Sequence, residues 1–129
     1  MDRIHISGGA AWEPIIGYSR AVRVGPHVFV TGTTSFLPGG GHVGDGDAYA
    51  QAKHIFVNIA AALAKAGASL DDVVRTRMYL TDIARDWQAV GRAHGEAVGH
   101  VRPAATMIEV SRMLEEWMIV EIEVDAVVV

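Results

Sequence analysis

The sequence predicts a single α+β domain, residues 1–129, in which strands and two helices follow one another in the order β-β-α-β-α-β-β. Three observations predict this fold class. Two β-rich runs are separated only by Gly25-Pro26, two segments repeat apolar residues at helical spacing, and apolar and acidic residues alternate over residues 120–126. A period of two is typical of strands, and a period of about 3.6 residues is typical of helices. A chain of 129 residues is also long enough to bury a substantial core.

The segment Met1–Ser19 shows no sustained periodicity and contains three glycines and a proline. We therefore expect it to form an irregular arm. The runs Arg20–Val24 and His27–Thr31 follow, and the two residues between them leave room only for a tight turn. This pattern predicts a β-hairpin.

A glycine-rich loop, Pro38–Gly46, contains the G-x-G-x-x-G spacing of dinucleotide-binding proteins. In those proteins the glycines join a strand directly to a helix whose N-terminus holds the pyrophosphate. Here seven residues separate Thr31 from the first of these glycines, and Asp45 and Asp47 would oppose a phosphate. We therefore interpret the segment as a mobile loop rather than as a nucleotide site.

Two helices are predicted, over Ala48–Ala66 and over residues 84–98. Asp47 can cap the first helix, and Gly67 can end it. The expected apolar stripe of the second helix consists of Trp87, Val90, Ala93 and either Ala97 or Val98. Three glycines in or after this helix each cost up to about 1 kcal/mol relative to alanine, so the helix depends on packing for its stability.

A strand is predicted between the helices, over Val73–Leu80. Its two faces are expected to carry Val74, Thr76, Met78 and Leu80 on one side and Arg75, Arg77 and Tyr79 on the other. The two sets separate because successive residues of a strand point to opposite faces. The two arginines are therefore candidates to meet acids on a neighbouring strand.

A row of three acids, Glu121, Glu123 and Asp125, would share one face of the last strand. Like charges on one strand face repel each other unless solvent or cations screen them. The row can therefore be a solvated surface or the polar floor of a cleft. The apolar end of the chain, Ala126–Val129, and the arginines of the preceding strand favour the cleft.

The composition argues against several classes of partner and site. A net charge of −4 without a basic cluster disfavours nucleic-acid binding, and the absence of cysteine excludes disulfide and thiol chemistry. No stretch approaches the roughly 20 apolar residues of a membrane span, so we expect a cytoplasmic protein without membrane contact. The six histidines lack metal-ligand spacing, and no cofactor is expected.

Because half of the residues are hydrophobic, we expect surface to be buried between subunits.

Short motifs along nearly the whole chain carry a family resemblance. They are Gly17-Tyr18, Val28–Gly32, Ala50–Ala52, Asn58-Ile59, Ala66–Val74, Tyr79–Asp82, Arg102–Ala104, Glu109-Val110 and Glu121–Glu123. In this combination the sequence resembles the RidA (YjgF) family of reactive-intermediate deaminases. The motifs at the C-terminal end are the most specific of the set.

The resemblance implies a chorismate-mutase-like fold, with a mixed sheet covered on one face by two helices, and a homotrimer. It also implies clefts between the subunits, in which a 2-imino acid is hydrolysed to a 2-oxo acid and ammonia. Tyr18, Thr31, Gly32 and Glu121 match positions that line this cleft. By the same resemblance, Glu121 would orient the attacking water.

Two positions of the expected cleft depart from the family pattern. The resemblance implies an arginine that clamps the substrate carboxylate, but this chain has Ala105 in its place. Alanine offers no donor, whereas a guanidinium can hold a carboxylate through two hydrogen bonds. Arg102 would point to the opposite strand face and cannot substitute. Met107 makes the expected pocket more apolar.

Three interpretations of the site are open at this point. The protein can be an enzyme that hydrolyses an imine, an enamine or a related labile metabolite without the carboxylate, using water held on Glu121. It can instead be a non-catalytic trimer that binds or senses a small ligand. Glu121 can also be a structural residue that only pairs with Arg75 or Arg77. The retained Glu121 favours the enzyme, whereas Ala105 favours the binding protein or a changed substrate.

Overall fold

Six strands form one mixed sheet in the computed structural model, which describes residues 2–129. The elements are β1 (Arg3–Ile6), α1 (Trp12–Ile16), β2 (Ala21–Val24), β3 (His27–Thr33), α2 (Ala48–Lys65), β4 (Val73–Leu80), α3 (Ile83–Val98), β5 (Ala104–Glu109) and β6 (Val120–Val127). The strand order is β1-β2-β3-β6-β4-β5, and all neighbours are antiparallel except β4 and β5. The predicted α+β fold is confirmed.

Helices α2 and α3 cover one face of the sheet. Burial alternates along β6, where every even-numbered residue from Val120 to Ala126 is buried and the three intervening acids are only partly covered. Ile55 and Ile59 of α2 and Val90 of α3 belong to the same hydrophobic core as these strand residues. The acids therefore lie on the sheet face that the two long helices do not cover.

Both long helices begin as the sequence predicts. Asp47 caps α2 by accepting a hydrogen bond from the Ala50 amide at 3.0 Å. Asp82 caps α3 in the same way. Gly67 follows α2 with a φ of 78°, a left-handed conformation that favours glycine and ends the helix. Among residues 2–129, no helix is both long enough and apolar enough to cross a bilayer.

Two residues are exposed although the sequence places them on the same face as residues that the structure buries. Trp87 of α3 is 52% exposed, and the helix instead turns Asp86 inward, where Arg85 donates to it at 2.9 and 2.8 Å. Val74 of β4 is 46% exposed, because the register between β4 and β6 shifts directly after Val73. Such a bulge reverses the face of a neighbouring residue, so Val73 is buried in place of Val74.

The prediction of an irregular arm over Met1–Ser19 is wrong for residues 2–19, and Met1 lies outside the described residues. Strand β1 pairs antiparallel with β2 at the edge of the sheet. Glu13 then fixes the entry to α1, because its carboxylate accepts hydrogen bonds from the amides of Gly8 and Ala10, each at 3.0 Å. Periodicity did not reveal β1, since it spans four residues of which only Ile6 is buried.

Candidate functional site

A cleft of about 610 Å³ lies where the end of β3 meets the start of β6. Gly32 of β3 and Glu121 of β6 line it, together with Tyr18 and Arg20 from the segment before β2. Its walls are completed by residues of the segment 9–12, which leads into α1, and of two loops, 36–42 and 114–118. The cleft therefore brings together three residues that the resemblance assigned to a ligand site, namely Tyr18, Gly32 and Glu121.

Gly32 allows strand β3 to pass close beside Glu121. The register between β3 and β6 shifts between Val30 and Thr33, so β3 holds one residue more than β6 over this stretch. At Gly32 the two strands are so close that a Cβ atom would collide with the carboxylate of Glu121. Glycine therefore leaves the room that the acid occupies.

Glu121 is the unpaired acid of the row. Among residues 2–129 it makes neither a hydrogen bond nor an ion pair, whereas the other two acids of β6 make both. Burial raises the pKa of Glu121 above its ordinary value, the charge of Arg20 opposes that rise, and the charge of Glu123 adds to it. An acid whose pKa is raised toward the working pH is a better general base than an ordinary carboxylate.

The other two acids form ion pairs and hydrogen bonds with residues of β4. The Tyr79 hydroxyl donates to Glu123 at 2.8 Å, and the Arg77 guanidinium lies 3.5 Å from Glu123 and 3.3 Å from Asp125. Arg75 lies 3.9 Å from Asp125. The arginines of β4 thus meet the acid row, as predicted, but they leave the acid in the cleft unpaired. Within one chain, Glu121 therefore does not act as a structural ion-pair partner of Arg75 or Arg77.

Arg20 lies beside Glu121 but is only 3% exposed. Its Nη1 donates to the carbonyl oxygen of Gly32 at 2.9 Å and to the hydroxyl of Thr33 at 3.1 Å, and its Nη2 lies 3.4 Å from Glu13. The remaining donor, Nε, is buried and has no partner among the described residues. Arg20 therefore fixes the bulge that contains Gly32, and it presents no accessible pair of donors to a ligand carboxylate.

Two side chains of α2 hold the loops that close the cleft. Asn58 donates to the carbonyl oxygens of Thr34 and Phe36 at 3.0 and 2.9 Å. Gln51 is fully buried and donates to the carbonyl oxygen of Trp117 at 2.8 Å. Both residues belong to motifs that carried the family resemblance. Their contacts show that these motifs fix the cleft walls and do not line the cleft themselves.

Aromatic residues that sequence reasoning did not single out form much of the cleft wall. His42 stacks on Trp117, with 4.0 Å between the ring centroids and 6° between the ring planes. Trp12 and Phe36 line the same cleft. Trp12 begins the short helix α1, the other three lie in loops without periodicity, and no local pattern connects position 42 with position 117. Only the folded chain reveals them as neighbours.

Three further residues assigned by the resemblance lie outside this cleft within one chain. Thr31 lies in a neighbouring depression of the open sheet face, which also contacts Tyr18. Ala105 and Met107 lie on β5, and β4 separates that strand from β6. Ala105 is exposed, and Met107 packs against the hydrophobic core. The prediction that Ala105 and Met107 line a cleft between subunits concerns an assembly of several chains and stays a prediction.

The glycine-rich loop contributes backbone to the cleft wall. Gly39, Gly40 and Gly41 line the cleft with φ values of 90°, 123° and 87°. The carboxylate of Asp47 accepts a hydrogen bond from the Ala50 amide in the first turn of α2, where a nucleotide site would hold phosphate. Among residues 2–129, no three His, Asp or Glu side chains are grouped so that they could hold a metal ion.

Known proteins are similar to this chain in fold and in sequence. The family Ribonuc_L-PSP, described as Endoribonuclease L-PSP, matches residues 8–128. The crystal structure of Rv2704 from Mycobacterium tuberculosis, a member of the YjgF/YER057c/UK114 family, is similar with a TM-score of 0.89 and 46% identity, covering 98% of this chain and 100% of that one. RidA from the Antarctic bacterium Psychrobacter sp. is similar with a TM-score of 0.79 and 32% identity, covering 87% and 89% of the two chains.

One relative of similar sequence carries the name of an enzyme. The 3-aminoacrylate deaminase RutC of Acinetobacter baylyi is 30% identical over 106 residues, which cover 82% of this chain and 83% of the relative. Together with the family match over residues 8–128, this identity extends over most of both chains. The chain therefore belongs to the Ribonuc_L-PSP (YjgF/RidA) family, as its motifs predicted.

Proposed function

We propose that the protein hydrolyses an imine or enamine that lacks a carboxylate, with the attacking water held by Glu121. The observation that carries this proposal is the unpaired carboxylate of Glu121, which lies against Gly32 in a cleft of small-molecule size. Relatives that bear the names RidA and 3-aminoacrylate deaminase support a reaction at a carbon–nitrogen bond.

In the proposed reaction, water adds to the carbon of the C=N bond, and Glu121 accepts one proton from that water. The nitrogen is then protonated, the C–N bond breaks, and the products are a carbonyl compound and ammonia. An enamine enters the same path after it takes a proton on carbon and becomes an imine. Burial raises the pKa of Glu121, which makes the carboxylate a stronger base for this step.

The proposed substrate lacks the carboxylate of a 2-imino acid because, among residues 2–129, neither Ala105 nor Arg20 offers an accessible pair of donors to hold one. Ala105 offers no donor at the position where the resemblance implies an arginine. Arg20 cannot replace that arginine, since its guanidinium is buried and donates to Gly32 and Thr33. Each charge-assisted hydrogen bond to a carboxylate is worth about 1.5–3 kcal/mol, so a 2-imino acid should bind about a hundredfold or more weakly than it would to a clamped site.

The proposed working unit is a homotrimer with a cleft at each contact between subunits. The open sheet face carries Phe29 and Ile108, which are 49% and 45% exposed in one chain. Covering this face with a second copy would remove apolar surface from water, which contributes a favourable free energy of about 25 cal/mol for each Å² buried. In such an assembly the β5 edge, which carries Ala105 and Met107, would complete the cleft of the next subunit.

Two matched substitutions on β6 test the proposal. Glu121→Gln should lower the rate of ammonia release from a carboxylate-free imine about a hundredfold or more, because the amide cannot accept the proton of water. Glu123→Gln is the control and should keep most of the activity, since Tyr79 and Arg77 hold Glu123 outside the cleft. Full activity in the Glu121 variant would rule out the water-holding role. Binding of the imine by the unmodified protein without turnover would make it a binding trimer instead.

A further inference from the structure

We infer that the substrate of this cleft carries a flat aromatic group next to its carbon–nitrogen bond and is neutral or positively charged. The inference rests on the proposed imine or enamine hydrolysis and names the substrate class of that reaction. Two separate features of the cleft support it: the aromatic and apolar character of its walls and the distribution of its charges.

The aromatic wall offers a stacking surface to a flat ligand. His42 and Trp117 already form a parallel stack with 4.0 Å between the ring centroids, and both line the cleft. Trp12 and Phe36 add two further aromatic side chains to the lining. Aromatic rings prefer offset-stacked or edge-to-face contacts with other rings, and these contacts contribute beyond the burial of apolar area. A planar aryl group can therefore extend the stack or meet its edge.

The rim of the cleft is apolar and open. Leu37 and Leu114 line the cleft and are 38% and 61% exposed. Exposed apolar side chains that border a concave site are typical of surfaces that a ligand covers. A cleft of about 610 Å³ has room for an aryl imine together with the attacking water. An aromatic ligand would remove both leucines from water, whereas a small polar imine would leave them exposed.

The charges of the cleft favour a cation over an anion. The acids Glu121 and Glu115 line the cleft, and among residues 2–129 of the same chain the only arginine or lysine that lines it is Arg20. The guanidinium of Arg20 is buried and donates to Gly32 and Thr33. A ligand carboxylate would meet two acids and no accessible donor pair. An iminium group beside Glu121 would meet an opposite charge, and the aromatic rings of the wall also attract cations.

An aryl imine completes the reaction with water as its sole co-reactant. A C–O bond forms at the carbon that bears the aryl group as water gives a proton to Glu121, the nitrogen of the adduct is protonated, the C–N bond breaks, and the products are ammonia and an aryl aldehyde or ketone. No oxidation or reduction takes place. Conjugation keeps the C=N bond close to the plane of the ring, so the whole reacting group is flat and fits the stacking surface described above.

Binding of this ligand class can be measured with the protein's own tryptophans. Trp87 lies on α3 outside the cleft, so Trp87→Phe leaves Trp12 and Trp117 as reporters of the cleft. Benzamidine is the probe, because its flat amidinium resembles an aryl iminium and resists hydrolysis. Cyclohexanecarboxamidine keeps the charged amidinium group but has a saturated ring in place of the aromatic one. Benzoate keeps the aromatic ring and reverses the charge.

Benzamidine should quench the fluorescence of the two cleft tryptophans. It should also bind about tenfold more tightly than either comparison ligand, because it alone combines ring stacking with a cation beside aromatic faces. Titration calorimetry should show that Trp117→Leu weakens benzamidine binding to the level of the saturated analogue. The matched variant Trp87→Leu should leave it unchanged. Benzoate binding as tight as that of benzamidine, or equal binding of the saturated analogue, would overturn the inference.

Turnover separates this inference from the proposed function. Acetophenone imine and butan-2-imine are both carboxylate-free methyl ketimines, and only the first carries an aromatic ring, which lies close to the plane of its C=N bond. If benzamidine binds as expected and neither imine is hydrolysed, the substrate class stands as a ligand class and the proposed hydrolysis fails. If butan-2-imine is hydrolysed in a manner that requires Glu121 and benzamidine does not bind, the hydrolysis stands and the aromatic substrate class is wrong.

Discussion

Gly32 and Glu121 form the contact on which the proposed chemistry depends. Both residues lie in short motifs, so their importance could be predicted from the sequence. The physical reason for the glycine could not, because it is the close approach of β3 to a carboxylate on β6, a strand from the other end of the chain. Arg20 was not assigned to the site for the same reason: its partners Gly32 and Glu13 become neighbours only when β1 to β3 are folded.

Replacing Gly32 by alanine should displace the carboxylate of Glu121 while the fold stays intact. The added Cβ meets the end of a flexible side chain rather than backbone, so the free energy of unfolding should fall by no more than about 1 kcal/mol. Turnover should fall about a hundredfold, because a misplacement of about 1 Å is costly in catalysis. Gly95→Ala on α3, where nothing lies within 4 Å of the new Cβ, should keep full turnover in the same assay. A fully active Gly32→Ala variant would separate this glycine from the chemistry.

The raised pKa of Glu121 predicts a specific dependence of stability on pH. Because burial raises the folded-state pKa, folding favours the protonated form, and the stability that this preference contributes is full below the unfolded pKa of about 4.3. It is lost as the pH rises through the folded pKa. Glu121→Gln should therefore match the unmodified protein at about pH 4 and be more stable than it at pH 8. Thermal unfolding at both pH values checks this, and a less stable variant at pH 8 would mean that the ionised carboxylate has a stabilising partner.

Long periodic elements of this fold can be predicted from sequence, whereas short or bulged ones cannot. The alternation of β6 extends over a whole strand, and Asp47 and Gly67 mark the ends of α2 by local chemistry. Strand β1 is too short for its pairing with β2 to leave a pattern. The bulge that exposes Val74 depends on the register to β6, which no local window contains. The stack of His42 on Trp117 likewise joins two loops far apart in the sequence.

The link between α2 and the cleft loops can be tested through Gln51. Gln51→Leu should lower the free energy of unfolding by about 1–3 kcal/mol, because the carbonyl oxygens of Trp117 and Gly44 lose a buried donor. The loop that carries Trp117 should also loosen, which should weaken benzamidine binding. Gln88→Leu on the exposed side of α3 is the matched control and should change neither quantity. Equal urea-unfolding curves for the two variants would show that Gln51 does not hold the loops.

The whole molecule has one sheet face covered by its own helices and one face that the long helices leave open. The open face combines ion-paired acids with exposed apolar residues, including Phe29 and Ile108. Such a face suits contact with further copies of the chain, because apolar area is buried and the charges already have partners. In the proposed assembly, Ala105 and Met107 of β5 would reach the cleft of a neighbouring subunit.

Sedimentation equilibrium at micromolar concentration tests this assembly. The expected species is a trimer of three times 13.8 kDa. Ile108→Asp should dissociate it, because a charge is introduced into the apolar part of the open face. Val57→Asp, at an exposed position of α2 on the helix side, should leave the trimer intact. A monomer in the unmodified protein, or equal dissociation by both variants, would contradict the proposed interface.

The hydrolysis rates of butan-2-imine and freshly generated 2-iminobutanoate test the proposed function most directly, since the two compounds differ only by a methyl group in place of the carboxylate. We expect the unmodified protein to hydrolyse butan-2-imine, to lose that activity in Glu121→Gln, and to leave 2-iminobutanoate close to its spontaneous rate. Ala105→Arg should restore part of the activity toward 2-iminobutanoate, because it supplies the missing donor pair. Hydrolysis of 2-iminobutanoate by the unmodified protein at a rate equal to or above that of butan-2-imine would contradict the account, since a carboxylate clamp would then exist without Ala105.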